Sequence, residues 1–246
     1  MKCVILAAGY ATRMYPLTEN FPKPLLEVQG KPILNWLIDD LESTGEIDEY
    51  IIISNHKFID KFNQWQFNSP MRDKLAVIDD GSTANENRLG AVKDILFAIE
   101  KCNINDDIIV LAGDNLLDFS LAGFVDFFKQ NNSSCVMRYF EDNVDKLKKT
   151  GVATVDENGL ITKMVEKPVV PESNWAIPPF YVYSKNDISK IALGIEQGCP
   201  TDAPGSFISW LCSQTRVYAM EMPGKRYDIG SIEGYEEIKN TYKLDA

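Results

Sequence analysis

The chain predicts an α/β fold, built on a mostly parallel central sheet with helices on both faces. Three observations carry that prediction. Short segments that are apolar throughout recur at 2–7, 50–54 and 107–113 ("KCVILA", "YIIIS", "DIIVLAG"), the length and composition of buried strands. Segments with helical periodicity lie between them, and parallel strands need such crossovers. After residue 132 the pattern changes to alternating residues and turns, which predicts a smaller antiparallel part.

Taken in order, residues 2–7 read as the first strand. The segment 9–31 is irregular, because Pro16, Pro22 and Pro24 exclude a regular helix from 10 to 24. "KPILNWLIDDLESTG" (31–45) reads as a helix, with Pro32 in its first turn and Gly45 past its end. Ile33, Leu34, Leu37, Ile38 and Leu41 form its apolar stripe. "YIIIS" and "LAVIDD" (75–80) are the next strands, "AVKDILFAIEK" (91–101) a helix, and "DIIVLAGD" (107–114) a fourth strand. A helix covers 120–132. "GVATVDENGLITKMVEKP" (151–168) alternates, turns at 156–159 and alternates again, as a hairpin does. An aromatic strand at 175–184, a helix at about 205–214, a strand at 217–222 and a helix from about 231 follow. No repeat or linker interrupts them, so one domain over 1–246 is expected, with halves of about 1–132 and 133–246.

Composition narrows the function. With net charge −11 and no run rich in Lys and Arg, a nucleic-acid or anionic-membrane surface is excluded as a general partner. The apolar stretches are too short to span a bilayer, and the run from Cys3 to Ala8 is short for a signal peptide, so a cytoplasmic location is expected. Five scattered cysteines lack the spacing of a disulfide framework or a zinc site, and the single histidine, His56, forms no cluster.

The most informative stretch is "LAAGYATRMYPLTENFPKPLL" (6–26). Neither GxxxxGK[ST] nor GxGxxG occurs, so the two common phosphate loops are excluded. The small residues Ala7, Ala8, Gly9, Ala11 and Thr12 instead allow backbone N–H groups to approach a ligand closely. Arg13 offers a fork for two phosphate oxygens and Lys23 a movable point charge, though both types also occur as plain surface cations. In parallel sheets ligands collect at the carboxyl ends of strands, where this loop, "GDN" (113–115) and the turn at Asp80–Gly81 all lie.

This opening, with "VQGKPIL" (28–34), "LAGDNL" (111–116), "GVATVDENGLITKMVEKP" and "RYDIGSIEGYEE" (226–237), resembles the sugar-phosphate nucleotidyltransferases, enzymes like glucose-1-phosphate thymidylyltransferase. The likeness runs over nearly the whole chain and implies a Rossmann-like (GT-A-like) sheet with an antiparallel acceptor-binding part. It also implies an activity: a sugar 1-phosphate attacks the α-phosphate of a nucleoside triphosphate, and pyrophosphate leaves. One departure is Ala11, where the family has a second glycine; if that residue needs positive φ, alanine costs on the order of 1 kcal/mol.

By that resemblance Arg13 holds the triphosphate tail, Lys23 neutralises the reacting phosphates, and Asp114 and Asp228 hold Mg2+. Each aspartate read alone is equally a turn or loop cap. Leu6, Ala8, Gly9, Tyr10, Ala11, Thr12, Gly81, Asn85 and Gly90 are the expected nucleotide contacts, although Gly90 also suits a helix start. Lys167 holds the sugar's phosphate, Glu166 accepts from sugar hydroxyls beside the Gly151 backbone, and Asn115 and Tyr181 complete the acceptor group. Trp175, Phe180, Tyr181 and Tyr183 leave a second acceptor open, since aromatic faces bind quaternary ammonium groups. That alternative is a cytidylyltransferase acting on phosphocholine or a phosphonate. A glycosyltransferase fits less well, for "GDNLLD" is not Asp-x-Asp, and a non-catalytic nucleotide sensor would not need Asp114, Lys167 and Asp228 together. A homo-oligomer is compatible with the apolar helix around "FISWLC" (207–212).

Overall fold

In the computed structural model, which describes residues 1–242, the opening apolar run forms β1 (Lys2–Leu6), with Cys3, Val4 and Ile5 fully buried. A short ribbon of β2 (Glu27–Val28) and β3 (Lys31–Pro32) precedes α1 (Ile33–Ser43). Next come β4 (Glu49–Ser54), α2 (Ile59–Asn68), β5 (Leu75–Asp79), α3 (Ala91–Lys101), β6 (Ile108–Ala112), β7 (Asn115–Leu117) and α4 (Ala122–Asn131). They are followed by β8 (Cys135–Phe140), α5 (Val144–Leu147), β9 (Gly151–Val155), β10 (Ile161–Glu166), β11 (Trp175–Ile177) and β12 (Phe180–Tyr183). The last elements are α6 (Lys185–Ile188), α7 (Ile191–Glu196), α8 (Gly205–Leu211), β13 (Tyr218–Glu221), β14 (Arg226–Asp228) and α9 (Ile232–Thr241).

These elements group into two units, each assembled from separated stretches of chain. The first comprises Met1–Arg88, Ala112–Ala122 and the chain from Pro223 onward. Its sheet runs β1-β4-β5, all parallel, with Cys3 opposite Tyr50 and Ile51 opposite Ala76. Tyr50 through Ile53 are fully buried, which is why "YIIIS" shows no alternation: both faces of the strand are covered. The stripe expected on α1 is buried in full, at roughly 1.5–3 kcal/mol per side chain before the chain entropy is subtracted. β7 and β14 pair antiparallel and set Asp228 opposite Asn115. Met14, Leu26, Val28, Ile33, Leu116, Ile229 and Tyr235 share one core cluster, so the irregular loop is anchored to α1 and α9 by apolar side chains.

The second unit comprises Leu89–Leu111 and Gly123–Met222. Its strands run β10-β9-β11-β8-β12-β6, each neighbouring pair antiparallel, with β13 added parallel to β8. The predicted hairpin is β9 and β10. Its turn is closed by the Gly159 amide donating to the Asp156 carbonyl, with Gly159 at φ +82° where glycine is favoured.

The structure differs from the sequence expectation in places. The strand expected over 107–114 stops at Ala112; the chain turns through Gly113 and Asp114 and re-enters a separate strand, β7. The helix expected over 205–214 ends at Leu211. α2 and β8 lacked a clear sequence signal. α2 buries only Phe62, and β8 carries Arg138 in a partly covered position. Among the described residues no helix is long and apolar enough to cross a membrane.

Candidate active site

In the first unit, the loop after β1 is braced from several sides. The Ala7 amide donates to the Ile53 carbonyl (3.0 Å). Asn55, fully buried just past β4, donates from Nδ2 to the Ala8 carbonyl (2.9 Å) and accepts the Phe58 amide at Oδ1 (3.0 Å). The Tyr10 hydroxyl donates to the Ser82 carbonyl (2.9 Å), so its ring is a strut between the loop and the turn after β5. Ala11 stands at φ 46°, ψ 39°, the left-handed conformation that the family's glycine would favour. Its carbonyl accepts both the Met14 amide (2.9 Å) and the Thr18 hydroxyl (2.8 Å), which hold a single turn at Thr12–Met14. A Cβ on Gly9 would meet nothing within 4 Å, so the backbone there faces open space. Arg13 is exposed and makes no ion pair among the described residues.

The short turn Lys23–Leu25 buries Lys23 and directs its Nζ to the expected acidic pair, 2.6 Å from Asp114 Oδ2 and 4.0 Å from Asp228 Oδ1. Two local features set this up. At Gly113 a Cβ would lie 3.0 Å from Ile5 Cγ2, so glycine lets the chain leave β6 tightly against β1's side chains, and its amide donates to the Leu6 carbonyl. The β7–β14 register then brings Asp228 beside Asp114. Asn115 is almost wholly buried and fully engaged. Its Nδ2 donates to Asp114 Oδ1 (2.9 Å) and to the Ala112 carbonyl (3.2 Å), and its Oδ1 accepts from Arg226 Nη1 (2.7 Å). That guanidinium nitrogen also stands 3.7 Å from Asp228 Oδ2. Asn115, expected beside the substrate, orients Asp114 through its amide. The two carboxylates remain 33% and 54% exposed and reach one cation in common. Such an oxygen donor set, open on one side, fits magnesium, which keeps several waters.

The turn after β5 is shaped by its own aspartates. Asp79 accepts the Gly81 amide (2.8 Å), with Gly81 at φ +77°, and its other oxygen lies 2.7 Å from His56 Nδ1; that hydrogen bond raises the imidazole pKa. Asp80 accepts the Ser82 amide and hydroxyl (both 2.7 Å), while burial pushes its carboxyl up. Asn85 accepts from Arg88 (3.3 Å) on an exposed turn.

In the second unit, Gly90 stands at φ +90° and a Cβ there would lie 2.6 Å from the Thr201 carbonyl oxygen. The amides of Ala91 and Val92 donate to the Asp202 and Thr201 carbonyls (3.1 and 3.0 Å). The first donors of α3 are therefore satisfied within the protein, and packing against 201–202 accounts for the glycine. Gly151 lies directly opposite Glu166 across β9 and β10. Burial raises the Glu166 carboxyl to about 6, against the opposing pull of Lys167. Lys167, at φ 49°, has its amide tied to the Thr150 carbonyl and its exposed Nζ 3.9 Å from Asp202 Oδ2.

The aromatic strand is core. Phe180 and Tyr183 are fully buried, and Tyr181 is 2% exposed and stacked on Tyr183 at 6.0 Å. Tyr181 is therefore not an open contact surface. Trp175 already carries the Arg138 guanidinium 4.1 Å over its ring and meets Phe140 edge-on. No quaternary-ammonium cage forms from these four rings.

Two residues escaped the sequence reading. Arg226 could have been found, because it precedes Asp228 by two and so shares its strand face. Asn55 carried no signal beyond following an apolar strand.

Known proteins resemble this chain in sequence and in fold. The sequence profile of the nucleotidyl transferase family covers residues 2–244. A UTP–glucose-1-phosphate uridylyltransferase of Haloferax volcanii is 28% identical, over 97% of this chain and 95% of its own length. A mannose-1-phosphate guanylyltransferase of Arabidopsis thaliana is also 28% identical, over 96% of this chain and 63% of its own. A crystal structure of UDP-glucose pyrophosphorylase complexed with UDP-glucose shares the fold, with TM-score 0.82 and 24% identity, covering 98% of this chain and 97% of that one.

Proposed function

The chain belongs to the nucleotidyl transferase family, and from that membership we propose that it transfers a nucleotidyl group from a nucleoside triphosphate to a sugar 1-phosphate, forming a nucleotide sugar and pyrophosphate. The convergence of Asp114 and Asp228 on the Lys23 ammonium carries the proposal. The relatives' names, a uridylyltransferase and a guanylyltransferase of sugar 1-phosphates, support the same reaction type.

In the proposed reaction a phosphate oxygen of the sugar 1-phosphate attacks the α-phosphorus. The bond from that phosphorus to its β-bridging oxygen breaks, and the electron pair departs with pyrophosphate. Positioning and charge neutralisation account for most of such a catalysis. Asp114 and Asp228 would hold magnesium, which supplies positive charge beside phosphate oxygens and takes carboxylate ligands readily. Lys23 is preorganised at the carboxylate pair and neutralises phosphate charge. Arg13, exposed and without an internal ion pair, is free to grip the leaving pyrophosphate with its forked donors. The open backbone at Gly9 admits a ligand next to the Ala8–Ala11 amides. Lys167 and Glu166 serve the acceptor, through its phosphate and its hydroxyls respectively.

A pyrophosphate-release screen tests this directly. Each common nucleoside triphosphate is crossed with several sugar 1-phosphates, phosphocholine and aminoethylphosphonate, with and without magnesium. Magnesium-dependent release is expected with a sugar 1-phosphate, and Asp114→Asn or Asp228→Asn should abolish it in a folded protein. Release from no pair, or release unaffected by both substitutions, would overturn the proposed function.

A further inference from the structure

Gly205 has no role in the activity described so far, yet its place is unusual. It begins α8 in helical backbone, and its φ is not positive. No left-handed turn calls for glycine there, so some other need keeps the side chain small. That need is space. A Cβ on Gly205 would stand 2.1 Å from Glu166 Oε2, 3.1 Å from Glu166 Cδ and 3.2 Å from Met164 Cε. From β9, a Cβ on Gly151 would stand 3.0 Å from the same Oε2 and 2.6 Å from Met164 Cε. Two glycines on separate elements leave room for one carboxylate and the methionine end beside it.

The Glu166 side chain is partly covered, and its carboxylate receives no hydrogen bond from the described residues. An ionised carboxylate only accepts, and partial withdrawal from water with no donor in its place disfavours the charged form. A ligand that offers adjacent hydroxyl donors would satisfy it.

We propose that Gly205 is a positioning residue for acceptor selection: the space it leaves sets where the Glu166 carboxylate meets the hydroxyls of a sugar 1-phosphate. This rests on the proposed function. A site built to pair with a hydroxyl rejects analogues that lack it, so discrimination depends on how firmly the carboxylate is placed.

Gly205→Ala is the test. Alanine suits the helix, and the atom it displaces is the far end of a flexible side chain, so folding should be retained. With wild type and variant, pyrophosphate release is measured with glucose 1-phosphate and its 2-deoxy and 3-deoxy analogues. The KM for glucose 1-phosphate should rise about tenfold or more, that for the triphosphate should change less than about twofold, and the preference over the deoxy analogues should shrink. A purely structural role would move no such split. Carboxyl 13C NMR gives a reading without substrate: titration of Glu166 should move down from about 6 towards the ordinary glutamate range as the carboxylate is expelled. An active wild type whose acceptor KM and Glu166 titration are both untouched by Gly205→Ala overturns the inference alone. A wild type that releases no pyrophosphate from any pair overturns the proposed function, and the inference with it.

Discussion

Lys23 and Asp114 lie 91 positions apart in sequence, and their charged atoms meet at 2.6 Å, with Asp228 Oδ1 4.0 Å from the same nitrogen. The lysine side chain is only 9% exposed, whereas both carboxylates stay partly in water. Replacing it with methionine keeps the aliphatic stem and removes the charge. Solvent can still hydrate the carboxylates, so Lys23→Met should cost only about 1–2 kcal/mol of stability. Turnover should fall at least about a hundredfold, because a cation aimed at developing phosphate charge is lost. Comparing urea unfolding with pyrophosphate release separates the two effects. Turnover that falls only in proportion to folded protein would refute the role.

Ala11 holds a conformation that its Cβ disfavours. Because Met14 and Thr18 both bond to its carbonyl, the loop keeps its shape and the strain stays. Ala11→Gly should stabilise the fold by about 0.5–1 kcal/mol, the relief of strain outweighing the added freedom of the unfolded chain. A denaturant midpoint that shifts downward would contradict this.

Asn55 joins two backbone groups that would otherwise lose a partner. Asn55→Ala removes a donor from the Ala8 carbonyl and an acceptor from the Phe58 amide in a dry setting, which should cost about 2–3 kcal/mol. Asn55→Asp should be at least as harmful, since it turns a carboxylate oxygen towards the Ala8 carbonyl. The KM for the triphosphate should rise in both. An aspartate variant as stable as wild type would show that the amide donor is not what matters.

Glu166 gives a pH signature. Its folded carboxyl titrates at about 6, above the 4.5 of a free glutamate, so the folded state binds that proton more tightly. The contribution to stability is therefore full below about pH 4.5 and lost as pH rises through about 6, a change of at most roughly 2 kcal/mol. Acceptor use runs the other way, improving with pH through the same range as the carboxylate becomes an acceptor. Glu166→Gln should flatten both profiles. Thermal midpoints and acceptor kcat/KM followed from pH 4.5 to 7.5 in both proteins give the comparison, and parallel curves would reject it.

Much of this protein is written in local pattern. Continuous apolar runs, the stripe on α1 and the alternation of β9 and β10 each depend on neighbours within a few residues, so they could be read without coordinates. The prolines likewise excluded a regular helix from the loop after β1. Tertiary structure decided how distant residues meet. The β7–β14 register brought Asp228 beside Asp114, and the burial of Lys23 turned its ammonium to both. Packing against Thr201 and Asp202 closed off the space beside Gly90, and two flanking strands buried Tyr181. Asn55 and Gly205 stayed hidden for one reason. Each acts on a group that folding alone brings into reach, and no periodicity in a sequence records a distance across a fold.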